Sequence, residues 1–270
     1  MHHKSCWIWP LLLCAGSATA APTAEALAVY RQAGERFATR VAEAEASDMP
    51  GDKGALLRDA EFAALIATLS DEGAMLVEGE DSNTEIEADV EICAISNKAN
   101  ISLVLFDIKA RVAPSQDQQA LATAFNALML RNVLQFQDEF ISLQPFLFRC
   151  LAKQMRGLER FIVSLPPGQF NDVRRRGVLG LRKSVPMIFY GGLMGARETV
   201  FREDYRDSLL STLAENADAY AAVIPLSERK KIMEMAARVA SSGNARFGVY
   251  AAQIEKAFRS EACSAICALE

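Results

Sequence analysis

Histidine is nearly absent from this sequence. The two copies among its 270 residues, His2 and His3, stand at the N-terminus, inside a stretch that reads as a leader removed on export. Histidine is the usual general base near neutral pH and the commonest nitrogen ligand for zinc. A mature chain without it has no Ser-His-Asp or Cys-His machinery, no His-x-Glu deaminase centre and no His-bearing zinc site. Other signatures are missing too. There is no P-loop and no G-x-G-x-x-G, and no strand precedes a glycine cluster. The acidic stretch from Glu78 to Asn83 lacks the alternating ligands of a calcium loop, and the cysteines contain no C-x2-C pair. Neither a cofactor nor a metal is therefore expected.

The leader is legible in its order. Lys4 follows the two histidines, an apolar stretch from Cys6 to Ala15 is interrupted only by Pro10, and Ala18-Thr19-Ala20 completes an A-x-A cleavage pattern. An apolar core of about ten residues is too short to span the roughly 30 Å hydrocarbon layer. Cys14 would be the lipidation site of a lipoprotein, but Leu13 before it is not the small residue that such processing needs. Residues 1–20 are thus expected to be a cleaved signal peptide. Residues 21–270 would then be a periplasmic or secreted bacterial protein with no stable membrane span.

Charge of one sign and long linkers are also scarce. The chain has 29 basic and 34 acidic residues. Removing the leader takes only Lys4, which leaves 28 and 34, a net charge of −6. This mild acidity is spread along the chain, which argues against a nucleic-acid partner and mainly reports solubility. A composition of 51% hydrophobic and 23% charged residues is ordinary for a globular protein. About 250 residues can bury a substantial core, and no Pro/Ser-rich linker divides them, so one domain is expected.

What the sequence does have is helical periodicity, with almost no β alternation. Thr23 reads as the N-cap of a first helix that turns Leu27, Tyr30, Ala33, Phe37 and Val41 inward. A second helix starts near Leu56 and a third after Asn83-Thr84, carrying on through the apolar run Ile101 to Phe106 as far as Ile108. Ser115 then caps a long element from Gln116 to about Ser164, in which Pro145 predicts a kink or break. Leu165 to Gly168 is the clearest interruption. After it come Arg174-Arg175-Arg176 and the apolar, glycine-rich segment Val185 to Gly195. Three more helices follow: one from about Arg202 to Val223, one after Pro225, and a last one reaching Cys267. The fold class is all-α, a single bundle-like domain of about eight helices.

Four cysteines remain after the leader: Cys93, Cys150, Cys263 and Cys267. An even count in an oxidising compartment favours disulfides, with three possible connectivities. On a helix, Cys263 and Cys267 would share a face but point in awkward directions for bridging. Cys93 and Cys150 are therefore expected each to find a partner at the C-terminus. The competing reading leaves them as free, buried apolar residues.

The remaining candidates for chemistry are weak. Candidate acids in helical surroundings include Asp138, Glu139, Glu159, Glu198, Glu203 and Asp204, and a carboxylate pair needs a pocket around it. Glu198, Glu203 and Asp204 with Arg197, Arg202 and Arg206 read more simply as an exposed helix face laced with ion pairs. Lys183-Ser184 is adjacent in sequence only. Arg174, Arg175 and Arg176 form the one concentrated positive patch, a possible contact for an anionic lipid or an acidic protein. Phe136, Phe140, Phe146, Phe148 and Phe161 promise an aromatic core. The expectation is an exported binding protein without catalysis of its own, with an envelope protein as partner and an inhibitor or immunity role as the concrete version. Two alternatives stand beside it. One is a histidine-independent hydrolase of cell-wall glycan. The other is a carrier whose apolar ligand occupies a cavity lined by phenylalanines and the Gly191-Gly192 segment.

Overall fold

A computed structural model describes residues 22–48, 52–77, 83–114, 116–166, 168–242 and 245–269. The expected leader, the Ser115 cap and most of the acidic turn before Asn83 lie outside the described residues. Thr23 accepts a hydrogen bond from Ala26 N at 3.1 Å and opens α1, Ala24–Ala46, whose Tyr30, Ala33, Phe37 and Val41 are buried on one face. The stretch expected as one second helix is three: α2, Lys53–Leu57; α3, Ala60–Leu69; and α4, Glu72–Met75. Aspartates cause the breaks. The side chains of Asp52, Asp59 and Asp71 accept from the N–H groups of Gly54, Phe62 and Ala74, and each such bond favours starting a helix over continuing one.

The next helix, α5, covers Asn83–Val104. It stops there because the chain turns through Asp107 at φ 58°, a carboxylate gripped by Lys53 Nζ at 3.1 Å and Arg111 Nε at 3.2 Å. Ile108 therefore belongs to a separate turn, α6, Ile108–Arg111. The long element expected next is interrupted as well, at Phe136 and not at Pro145, giving α7, Gln118–Gln135, and α8, Gln137–Ser164. Phe136 is fully buried, edge-on to Phe106 with ring centres 5.4 Å apart. Asn132 Nδ2 donates to the carbonyls of Val104 and Phe106, both at 2.9 Å, which ties the end of α7 to the end of α5. Pro145 stays inside α8, which continues past it to Ser164.

Five helices complete the chain: α9, Asp172–Arg197; α10, Glu203–Glu215; α11, Ala217–Val223; α12, Leu226–Ala240; and α13, Ala245–Phe258. Among the described residues there are thus thirteen helical segments and no strand, against an expected eight or so helices. The excess comes from side-chain hydrogen bonds that cut long periodic stretches. Helix α8 is the axis: α5 and α3 pack on it from the N-terminal half, and α10 and α11 from the C-terminal half. Helix α9 rests on α10 and α12, and α13 closes over α12, α10 and α11. No helix among the described residues is long and apolar enough to cross a membrane.

Two expectations about the C-terminus are corrected. The last helix ends at Phe258, and the chain to Leu269 folds back as an irregular segment. The guanidinium of Arg229, only 2% exposed, holds it by donating to the carbonyls of Ile224 at 3.0 Å, Ala221 at 2.5 Å and Ala262 at 2.7 Å, and also to Ser260. Glu159 on α8 accepts the N–H groups of Ala265 and Ile266 at 2.6 and 3.1 Å. The disulfides also differ from the expected connectivity. Cys93 pairs with Cys150, Cα atoms 5.6 Å apart, and Cys263 with Cys267, 5.3 Å apart. Cys93 and Cys150 face each other where α5 packs on α8, far from the tail in the chain. The directional objection to a Cys263–Cys267 bridge applied to a helix, and that segment is not one.

Candidate ligand-binding cleft

Helices α5, α7, α8, α9 and α10 converge around a cleft of about 510 Å3. Helical spacing puts Asn97, Asn100, Ile101 and Val104 of α5 on its wall, with Met129 and Val133 of α7 beside them. Opposite stand Ile188, Gly191 and Gly192 of α9 and Tyr205 and Leu209 of α10, while Leu147 and Phe148 of α8 lie between. A Cβ on Gly192 would come within 2.8 Å of Phe148 Cζ and 3.0 Å of Leu213 Cδ1, so its absence is what lets α9 approach α8 and α10 this closely. One residue earlier the situation reverses: Gly191, also on the cleft's lining, is exposed, and a Cβ there would meet nothing within 4 Å.

No charged side chain lines the cleft. Its polar groups are few and mostly committed. Tyr205 Oη donates to Gln144 Oε1 at 2.8 Å, and burial pushes this phenol well above its usual range, so it stays neutral. Asn100 is buried, and its Nδ2 donates to the carbonyls of Ser96 at 3.0 Å and Leu143 at 3.5 Å. Its Oδ1 is enclosed and accepts from no protein group. A buried acceptor left in that condition carries a desolvation cost.

A second concavity, of about 580 Å3, lies on α1 and α3 and has the opposite character, with Glu35, Arg36 and Glu61 on its rim. Arg36 Nε stands 2.5 Å from Glu61 and holds that carboxyl below the usual carboxylate range. An acid kept ionised in this way has no proton to give as a general acid.

The carboxylates singled out from the sequence are dispersed, and none lines the apolar cleft. Asp138 and Asp204 both meet Arg202, at 2.5 and 2.8 Å, and Glu198 meets Arg197 at 3.5 Å. Glu139 is buried against Arg58 Nε at 2.8 Å, and Glu159 serves the C-terminal backbone. The expected ion-pair face around Glu203 is only partly formed, since Arg206 points inward, donating to the Ala196 carbonyl at 2.8 Å with its guanidinium over Phe247. Ser184 Oγ bonds back to the Gly180 and Leu181 carbonyls in its own helix. Arg174, Arg175 and Arg176 are exposed in the first turns of α9, with Arg174 over the Phe161 ring at 5.8 Å. They lie at the far end of α9 from Gly191.

Sequence reasoning missed the buried charges, Asp107 and Arg229 among them, and one group lies near the cleft. Lys153 of α8 sits 2.6 Å from Asp89 and 3.1 Å from Glu85 of α5, all three buried beside the Cys93–Cys150 bridge. Lysine, aspartate and glutamate on amphipathic helices read as solvent-facing, and only the packing of α5 on α8 shows otherwise. The group is structural in position, fastening the seam that forms one cleft wall. Comparison with known protein families, with curated proteins and with solved structures finds no match.

Proposed function

We propose that this chain is an exported binding protein that holds a small apolar ligand in the cleft between α5, α7, α8, α9 and α10. The observation that carries this reading is the charge-free cleft of about 510 Å3 with open space at Gly191. That volume and apolar lining fit a small-molecule site. Two disulfides support a place in an oxidising compartment, consistent with the leader-like N-terminus. An inhibitor that presents an acidic face to an envelope protein has less behind it, because Glu43 of α1 and Glu61 of α3 are engaged with Arg36 and Arg40, and Glu91 of α5 with Arg31.

The test is titration with the neutral fluorophore N-phenyl-1-naphthylamine, with Gly191→Trp as the blocked control. Saturable, blue-shifted binding of one fluorophore per chain, lost in Gly191→Trp at unchanged melting temperature, is the expected result. Absence of saturable binding to the unmodified protein, or binding undiminished in the variant, overturns the reading.

A further inference from the structure

We infer that the end of the molecule where α8 passes into α9 is a docking surface for an anionic lipid bilayer. This surface is remote from the cleft, and neither reading depends on the other. Charge is the first observation. Residues 156–184 carry seven basic and two acidic residues, while the rest of the chain from residue 21 onward carries 21 basic and 32 acidic. A chain that is acidic as a whole therefore has one strongly basic stretch. Of the two acids in it, Glu159 is spent on the N–H groups of Ala265 and Ile266, which leaves Asp172 beside Arg174, Arg175 and Arg176.

Exposure is the second observation. Every residue from Asn171 to Gly177 is exposed, and Val178 is the first of α9 to be buried. The start of α9 thus stands clear of the core. Arg174 ties it to the end of α8, its guanidinium over the Phe161 ring at 5.8 Å and its Nη1 donating to the Gln169 carbonyl at 2.7 Å. Apolar side chains share this tip: Val163 in the last turn of α8 is 70% exposed, and Val173 in the first turn of α9 is 69% exposed. One exposed valine on a soluble protein is ordinary. Two at the end of a basic projection match what a bilayer offers, phosphate charge at its surface and hydrocarbon just beneath. An acidic protein would answer the arginines and leave the valines unaccounted for.

Successive side chains of an α-helix point about 100° apart, so three consecutive arginines share no helix face. A flat surface that meets the exposed end of the helix is within reach of all three, because arginine is long and flexible. No helix among the described residues is long and apolar enough to cross a membrane, and the contact inferred is peripheral.

The experiment is vesicle flotation of the full disulfide-bonded protein, with vesicles of phosphatidylglycerol and phosphatidylcholine in equal parts and of phosphatidylcholine alone. Binding is expected to the anionic vesicles only, weakening as salt is raised. Replacing Arg175→Gln and Arg176→Gln together should lower affinity about fivefold for each arginine removed. Replacing Val163→Ser and Val173→Ser together should lower it severalfold at unchanged charge. All four positions are exposed, so melting temperatures should match the parent; if a variant fails to fold, the two vesicle types decide alone on the unmodified protein. No binding to the anionic vesicles, equal binding to the neutral ones, or affinity unmoved by the arginine replacements overturns the proposal. Affinity unmoved by the valine replacements overturns it as well, since a surface that reads charge alone would serve an acidic protein equally.

Discussion

Ser208 Oγ of α10 donates to the carbonyl oxygen of Ile141 in α8 at 3.4 Å, and Ile141 stands four residues before Pro145. That carbonyl is the one an interior proline deprives of its helical N–H. Ser208 thus stands as a long-range substitute donor to that carbonyl.

Ser208→Ala should therefore cost about 0.5–1 kcal/mol in urea melts. In a Pro145→Ala background, where residue 145 again has an N–H to give, the same substitution should cost almost nothing. Equal costs in the two backgrounds would show that Ser208 and Pro145 are not coupled.

Adjacent glycines should respond with opposite signs. Gly192→Ala puts a Cβ 2.8 Å from Phe148 Cζ and is expected to lower stability by about 1–3 kcal/mol through overpacking. Gly191→Ala meets open space and should raise stability by up to about 1 kcal/mol from helix propensity. Thermal melts of the two variants suffice, and a Gly192→Ala protein as stable as the parent would refute the close approach of α9.

The two disulfides close loops of very different size, with sequence separations of 57 and 4. Loop-closure entropy alone assigns about 4 kcal/mol to the Cys93–Cys150 bridge and about 2 kcal/mol to Cys263–Cys267. Paired Cys→Ala variants, compared in denaturant melts, should keep that order. Peptide mapping without reductant that links Cys93 or Cys150 to the C-terminal cysteines would contradict the described pairing.

Alkaline pH should weaken the fold through its buried tyrosines. Tyr220 Oη donates to the Phe148 carbonyl at 3.0 Å, and Tyr30 Oη to that of Leu69 at 3.3 Å. Burial raises both phenols above the ordinary value of 10.0. A proton held longer in the folded state contributes fully below the unfolded value and is lost as pH climbs toward the folded one. Stability should fall from about pH 10 upward, by about 1.4 kcal/mol per pH unit for each such group. Tyr220→Phe should make the decline shallower by one group. Parallel curves for variant and parent between pH 9 and 11 would rule out Tyr220 as a source.

The helical class and the inward face of α1 were legible because both follow from spacing along one element. Tyr30, Ala33, Phe37 and Val41 needed no knowledge of a partner. The breaks at Phe136 and after Val104 were not legible, since they arise from Asn132, Phe106 and Asp107 meeting residues distant in sequence. The cleft was half visible. Gly191, Gly192 and Phe148 marked an apolar site, but Asn97, Asn100 and Gln144 look like solvent-facing residues until α5 and α8 are packed. An acceptor without a donor is a property of the assembled helices, and no residue pattern announces it.

The Cys93–Cys150 bond joins α5 to α8 and encloses α7 within the same covalent ring. One jaw of the cleft is thereby locked, with Lys153, Glu85 and Asp89 clamping the same seam. The other jaw, α9, is held on α10 and α12 by packing and by the bond from Arg206 of α10 to the Ala196 carbonyl. The two walls of the cleft are thus fastened by different means: a covalent bond and a buried ion-pair group where α5 meets α8, and on the α9 side a single guanidinium–carbonyl bond with side-chain packing.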